Sequence, residues 1–170
     1  YRCPRRDYLS AMTIPAHHNV AIVTGAAGGL GAVISNRLAD EGYRVVMTDV
    51  DVAGLEAAAA VIEGEIITAI LDVCKPDSFA AVLEKANENW GGVGVLVNNA
   101  ALTKTTPLFD ISPEEFDAVT AVALKGTFIG CQTLGRHMRQ NGYGRIINMA
   151  SLAGQNGGAA TGAHYAAAKG

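Results

Sequence analysis

Short apolar runs rich in valine, isoleucine and leucine alternate along this chain with longer segments whose apolar residues recur at helical spacing. The short runs predict five strands, at residues 20–24, 44–49, 65–71, 93–98 and 145–149. The longer segments predict helices at residues 29–41, 52–63, 76–90 and 112–140, the last divided near Gly126 and ended near Gly142. Because strands and helices alternate, we expect right-handed βαβ units and an α/β fold with a doubly wound parallel sheet.

The number of strands bears on how the chain is organised. A doubly wound fold has two halves of three strands each, whereas five strands are predicted, so we expect the sheet to be incomplete at the C-terminus. Residues 20–170 are expected to form this one domain. Residues 1–19 are expected to be a disordered extension, with Met12 as the native start; no apolar stretch follows their arginines, which argues against a secretory signal.

Composition narrows the choice of partners. Of 170 residues, 49% are hydrophobic and 17% are charged, which suits a parallel sheet buried on both faces and an apolar surface for self-association. The net charge of −3 offers no basic field for nucleic acid, and no apolar run approaches the length of a membrane span. The 3 cysteines show no metal or disulfide spacing, so we expect reduced thiols and a cytoplasmic protein.

A glycine-rich segment follows the first strand and leads into the first helix. A strand that turns through glycines into a helix N-terminus makes an anion site, since backbone N–H groups and the helix dipole both face the ligand. Glycine is needed there because a side chain would keep a pyrophosphate away from the backbone. The candidate cofactor-binding residues of this segment are Thr24, Gly25, Ala27, Gly28, Gly29, Leu30 and Gly31.

Asp49 ends the second strand at the edge of the sheet where the glycine segment lies. A carboxylate there can accept both hydroxyls of an adenosine ribose and would repel a 2′-phosphate. Since the glycine segment also contains no arginine, we predict NAD as the cofactor rather than NADP. The alternative is that Asp49 only caps the following helix, a role that Asp51 could share.

Two further strand ends carry polar residues. Asp72 is predicted to hydrogen-bond an adenine, and Val73 beside it is predicted to pack near the adenine ring. The alternative is that Asp72 is an ordinary acidic residue at a strand end. Asn98 and Asn99 end the fourth strand, where buried amides must be satisfied. We expect one to brace the neighbouring strands and the other, Asn99 with the small Ala100, to leave a gap for a flat cofactor; a purely structural network is the competing interpretation.

Candidate catalytic groups lie near the end of the chain. Ser151 follows the fifth strand, and Tyr165 and Lys169, four residues apart, share one face of a helix. Free tyrosine titrates near pH 10, and a nearby ammonium group lowers such a value, which would allow a tyrosine to exchange a proton with a carbonyl oxygen. Ser151 could hold the same oxygen by a hydrogen bond. No role or partner is assigned to His17, His18, His137 or His164.

These motifs, in this order, resemble the short-chain dehydrogenase/reductase family, and residues 154–169 look most like its 3-oxoacyl-carrier-protein reductase-like branch. The resemblance covers residues 20–170 and implies a Rossmann fold and a homo-oligomer, a tetramer or dimer. It implies that Tyr165 is the general acid/base, that Lys169 binds the nicotinamide ribose and that Ser151 orients the substrate. A small-molecule secondary alcohol or ketone would exchange hydride with NAD(H), with no metal.

The chain departs from the family at residue 123. The family's fourth long helix has asparagine where this chain has Ala123, and that asparagine holds a water of the proton relay. Either the relay is weakened or another group holds the water. This departure keeps a second reading open, in which the chain is a non-catalytic dinucleotide-binding protein or an inactive fragment of such an enzyme.

Overall fold

Five parallel strands form a single sheet in the computed structural model, which describes residues 16–158 and 160–170. The expectations for residues 1–15, including the start at Met12, lie outside the described residues. The strand order is β3-β2-β1-β4-β5, which confirms the α/β doubly wound arrangement. The strands are β1 (Val20–Thr24), β2 (Arg44–Asp49), β3 (Ile66–Ile70), β4 (Val95–Asn98) and β5 (Arg145–Asn148).

Helices connect the strands and cover both faces of the sheet. They are α1 (Gly29–Asp40), α2 (Val52–Ala59), α3 (Pro76–Trp90), α4 (Pro113–Thr120), α5 (Gly126–Gln140), α6 (Ala153–Asn156) and α7 (Ala163–Lys169). The helix predicted over 52–63 runs past the true end at Ala59, because the chain must turn through Gly64, at φ +126°, to enter β3. The predicted helices do not include the short α6.

The prediction that the helix is divided at Gly126 is wrong, because the helical backbone continues through this residue. A π turn, Ala121–Lys125, joins α4 to α5 without a break, and Gly126 itself is helical at φ −60°. Its lack of a side chain serves packing instead, since a Cβ there would lie 2.7 Å from Val73 Cγ2. The helical column therefore lies close against the end of the third strand.

The core lies on both sides of the sheet because alternate strand residues face opposite layers. On one side Val20, Ile22 and Leu96 pack with residues of α3 and α5. On the other, Val23 and Met47 pack with residues of α1 and α2. The parallel pairing brings the carboxyl ends of β1, β2, β4 and β5 to one edge of the sheet, where the candidate residues follow. Within the described part of the chain, no helix combines the length and hydropathy needed to cross a membrane.

Candidate cofactor and catalytic site

The turn after β1 depends on glycine at three positions. Gly25 and Gly29 have φ values of +67° and +54°, a region that residues with a Cβ rarely adopt. A Cβ on Gly31 would lie 2.0 Å from the Gly25 carbonyl oxygen, so only glycine lets α1 approach the turn this closely. A Cβ on Gly28 or Gly29 would have no neighbour within 4 Å, so the backbone there is open to a ligand. The exposed Leu30 and half-buried Ala27 flank this open backbone.

Thr24 and Asn99 tie the turn to β4 from below. The Thr24 hydroxyl oxygen accepts hydrogen bonds from the backbone N–H groups of Asn99 and Ala100, each at 3.0 Å. The Asn99 side-chain amide donates to the carbonyl oxygens of Thr24 and Gly25 at 2.9 and 3.0 Å. Thr24 is 1% exposed, so its hydroxyl shapes the turn from beneath it.

In the structure Asp51, and not Asp49, caps α2. The Asp51 carboxylate caps α2 by accepting from the Gly54 N–H. The Asp49 carboxylate instead accepts from the N–H groups of Ala27, Val50 and Asp51 at 3.0, 2.7 and 3.1 Å. It is therefore held in place beside the glycine turn, with part of its surface still exposed.

A cleft of about 340 Å³ lies at this edge of the sheet. Seven predicted residues line it: Gly25, Gly28, Asp49, Asp72, Val73, Asn99 and Ala100. The sequence reasoning missed four more, Val50, Leu71, Ala101 and Val122. Three of these directly adjoin a predicted residue at a strand end, a signal that could have found them, whereas Val122 comes from the π turn.

Asp72 is fixed in the wall of this cleft. Its carboxylate accepts from the Cys74 N–H at 3.0 Å and pairs with the Lys75 ammonium group at 3.1 Å. These contacts, the Cys74 N–H first, lower the pKa of Asp72 from its ordinary value. A charged carboxylate therefore faces the cleft at neutral pH.

Asn98 braces the two last strands. It is 3% exposed, and its amide donates to the Asn148 side-chain oxygen at 2.9 Å across the β4–β5 pair. Gly130 makes room for this amide, because a Cβ there would lie 2.6 Å from the Asn98 Oδ1. Both asparagines thus have structural bonds, while Asn99 also lines the cleft.

The three candidate catalytic residues lie beyond the end of β5, outside the lining of the cleft. The Ser151 hydroxyl accepts from the Ala153 N–H at 3.2 Å. The Lys169 ammonium group donates to the Met149 carbonyl oxygen at 2.6 Å, and burial lowers the pKa of Lys169. Tyr165 is half-buried on the same helix. Because Asn148 pairs with Asn98, this group belongs to the same edge of the sheet as the cleft.

A buried contact that the sequence reasoning missed adjoins Tyr165. His164 is fully buried, and its Nε2 lies 3.0 Å from the Glu115 Oε1. Glu115 is the third residue of α4, and its N–H donates to the hydroxyl oxygen of Ser112, the N-cap of that helix. Sequence spacing could not reveal the pair because its members lie 49 residues apart.

Ala123, the departure from the family pattern, lies in the π turn and is 3% exposed. Its carbonyl oxygen accepts from the Thr127 hydroxyl at 3.0 Å. Its methyl side chain cannot hydrogen-bond. Among the described residues, no cluster of three or more histidine, cysteine, aspartate or glutamate side chains is arranged to hold a metal ion.

Residues 19–170 match the short chain dehydrogenase family. The chain belongs to this family. It is 38% identical over 139 residues to an uncharacterized oxidoreductase of Mycobacterium bovis, covering 81% of this chain and 56% of that protein. It is 36% identical to the D-threitol dehydrogenase of Mycolicibacterium smegmatis, covering 79% of this chain and 53% of that enzyme. For the 3-oxoacyl-[acyl-carrier-protein] reductase of Vibrio cholerae the identity is also 36%, with 88% and 61% covered.

The fold of a solved family member agrees. A short chain dehydrogenase from Bacillus anthracis superimposes with a TM-score of 0.86 at 34% identity, over 91% of this chain and 66% of that one. Together these matches confirm the short-chain dehydrogenase/reductase resemblance and the Rossmann fold. The chain spans little more than half the length of the curated relatives named above.

Proposed function

We propose that this chain carries the dinucleotide-binding and catalytic residues of an oxidoreductase that transfers hydride between NAD(H) and a secondary alcohol or ketone. The observation that carries the proposal is the glycine turn beside the fixed carboxylate of Asp49. A side chain on Gly31 would fill the turn, while the backbone at Gly28 and Gly29 is open. This cradle fits a pyrophosphate, and the adjoining cleft fits the adenosine half of the cofactor.

NAD is proposed over NADP because of charge. The Asp49 carboxylate keeps one side open at the cleft and would repel a 2′-phosphate while accepting ribose hydroxyls. Three backbone N–H groups hold it, so it needs no rearrangement to meet the ribose. Asp72 and Val73, in the same wall, would meet the adenine ring.

At the catalytic end, Tyr165 would give a proton to the carbonyl oxygen of a ketone or take one from an alcohol. Ser151 would donate a hydrogen bond to the same oxygen and so stabilise its developing charge. The Lys169 ammonium group, one helical turn from Tyr165, would favour the phenolate form electrostatically. When bound, the nicotinamide supplies or accepts the hydride.

Calorimetry with NAD⁺ and NADP⁺ tests the cofactor assignment. In Asp49→Ser the preference for NAD⁺ should fall at least tenfold. Asp51→Ser is the matched control: it removes the same charge two residues away, but serine can still cap α2, so the preference should change less than twofold. An unchanged ratio in Asp49→Ser would contradict the ribose contact, and failure of both nucleotides to bind would overturn the proposal itself.

The partners are also proposed. The substrate is a small alcohol or carbonyl compound, and nucleic acid is not expected to bind, given the net charge of −3. A homo-oligomer, a dimer or tetramer, is supported by apolar side chains left exposed on the α4–α5 column, Phe116, Leu124 and Phe128. Light scattering at several concentrations would measure the assembly.

Ala123 favours a second candidate function, dinucleotide binding without turnover. Its side chain cannot hold a water of a proton relay. Every residue of β5 is also exposed, so little packing holds the candidate catalytic residues that follow this strand. We therefore expect the 170-residue chain itself to turn over slowly or not at all. Steady NAD⁺ reduction with a panel of secondary alcohols, abolished in Tyr165→Phe, would contradict this candidate and support the enzyme.

A further inference from the structure

The helix that carries Tyr165, α7, begins at Ala163 without a capping side chain. Its N-cap is Gly162, which has no side chain to accept from the N–H groups of the first turn. Contacts between α7 and its neighbours therefore bear on the direction of Tyr165.

Two polar contacts hold α7, one on each side of Tyr165. At its C-terminal end the Lys169 ammonium group donates to the Met149 carbonyl oxygen at 2.6 Å. At its N-terminal end the His164 Nε2 lies 3.0 Å from the Glu115 Oε1 on α4. The first contact belongs to the proposed catalytic group. The second has no part in the chemistry described so far.

The His164 ring is fixed from several directions. It is fully buried, and its Nδ1 has no hydrogen-bond partner, so Nε2 is the atom that satisfies it. A Cβ on Gly162 would lie 2.5 Å from the ring Cε1 and 2.9 Å from the Lys104 carbonyl oxygen. The ring is thus confined where α7 meets both α4 and the loop that follows β4.

Glu115 is itself held in place. Its N–H donates to the Ser112 hydroxyl oxygen at 3.2 Å in the first turn of α4. Hydrogen bonds from the Thr106 hydroxyl, and then from His164, lower the pKa of Glu115, so its carboxylate is charged at neutral pH. Thr106 belongs to the loop after β4, which begins with the cleft residues Asn99, Ala100 and Ala101.

We propose that Glu115 and His164 are positioning residues, whose contact joins α7 to α4 and to the loop after β4 and so sets the direction of Tyr165. The inference rests on the proposed function only in giving Tyr165 a catalytic role. The geometric statement applies to the chain whether or not it turns over. Neither residue is assigned contact with substrate or cofactor.

The test is NMR of the full 170-residue chain with ¹³C-labelled tyrosine rings. In Glu115→Ala the Tyr165 ring signals should shift or broaden, while those of Tyr43 and Tyr143 stay in place. Asp117→Ala is the matched control, since it removes an exposed acid from the same helix; it should move none of the three. Glu115→Gln keeps an oxygen acceptor and should restore the Tyr165 signals.

Two results would overturn the proposal: Tyr165 signals in Glu115→Ala that match those of Asp117→Ala, or equal shifts of Tyr43, Tyr143 and Tyr165. If Glu115→Ala does not fold, His164→Gln and His164→Leu decide. Glutamine retains an N–H donor near the position of Nε2 and should keep the Tyr165 signals, whereas leucine should not; identical spectra from these two variants would also overturn the proposal.

A second readout links position to catalysis. Glu115→Ala should leave the NAD⁺ Kd within twofold, and where the chain reduces NAD⁺ with a secondary alcohol at a measurable rate, it should lower kcat about tenfold. A measurable kcat equal to that of Asp117→Ala, or a larger change in Kd, would count against the proposal. Calorimetry of the unmodified chain separates the two claims, because absence of NAD⁺ binding refutes the proposed function and leaves the tyrosine spectra to judge the positioning.

Discussion

β1 and β5 both pair in parallel with β4, yet they differ in almost every other respect. All five residues of β1 are buried, whereas all four residues of β5 are exposed. The glycine turn after β1 therefore lies on a core packed from both sides. The candidate catalytic residues after β5 rely on a few polar contacts, among them Lys169 with Met149 and His164 with Glu115. In this chain, packing therefore sets the edge proposed to hold the cofactor, whereas individual hydrogen bonds hold the candidate catalytic residues.

The strongest way to break the cofactor side of this comparison is Gly31→Ala. Its Cβ would lie 2.0 Å from backbone of the turn, which cannot move without disturbing β1, so we expect a loss of about 4 kcal/mol in the free energy of unfolding and no measurable NAD⁺ binding. Denaturant titration measures the free energy of unfolding, and calorimetry measures the binding.

Gly135→Ala is the control. The nearest neighbour of its Cβ would be 4.0 Å away, so the free energy of unfolding is expected to rise by up to about 1 kcal/mol. Equal effects would refute the steric argument.

A matched pair of isoleucines compares the strands directly. Ile22 in β1 is 0% exposed and Ile147 in β5 is 47% exposed. We expect Ile22→Ala to cost about 3–4 kcal/mol, since it leaves a cavity in the core, and Ile147→Ala to cost less than about 1 kcal/mol. Urea unfolding of the two variants gives the difference. Similar losses would show that β5 is covered in solution.

Thr24→Val tests the bonds beneath the turn. Valine has the same shape but leaves the N–H groups of Asn99 and Ala100 without their acceptor, which should cost about 2 kcal/mol. Thr120→Val is the control, because the Thr120 hydroxyl only donates to carbonyl oxygens of its own helix, Phe116 and Asp117. That variant should stay within about 0.5 kcal/mol of the parent chain.

The smallest expected effect is the pH dependence of stability that arises from histidines at the opposite edge of the sheet. His137 Nε2 accepts from the Val93 N–H, and its ring lies 5.8 Å from that of His17. Burial first, and then the charge of His17, lowers the pKa of His137 from 6.5. The unfolded chain therefore binds a proton at this histidine more readily than the folded chain does. The stabilisation that neutral His137 contributes is fully present above pH 6.5 and is lost as the pH falls through the lowered pKa of the folded state.

The measurement is the free energy of unfolding at pH 7.5 and 5.5 for the parent and His137→Gln. Glutamine keeps an acceptor and does not titrate, so the parent should lose more stability than the variant on acidification. The most that one histidine can contribute between pH 6.5 and 5.5 is about 1.4 kcal/mol. His17, whose pKa is also lowered, remains in both proteins and cancels in the comparison. Parallel losses would contradict the role of His137.

The difference between the edges also explains what the sequence could predict. β1, β2 and α3 were bounded correctly, and the glycine turn was recognised, because local pattern and backbone requirements determine them. By contrast, the choice between Asp49 and Asp51 as the cap of α2 depends on where Ala27 returns from another part of the chain.

Distant contacts were the main omission. His164 was assigned no role because its partner is far away in the chain, and His17, just before β1, meets His137 of α5 only in the folded chain. Gly126 was predicted to divide the helix, although its lack of a side chain lets α5 approach Val73, as that of Gly130 lets α5 approach Asn98. The catalytic assignments of Ser151, Tyr165 and Lys169 stay predictions.

The π turn between α4 and α5 has a consequence for how this chain tolerates change. A π turn already contains one residue more than an α turn, and successive residues of an α-helix are offset by about 100° around its axis. One further residue added among 121–125 would therefore rotate α4 relative to α5 by that angle and would swing Glu115 out of reach of His164 while altering neither of them. Under the proposed positioning role, the length of this segment matters as much as its side chains.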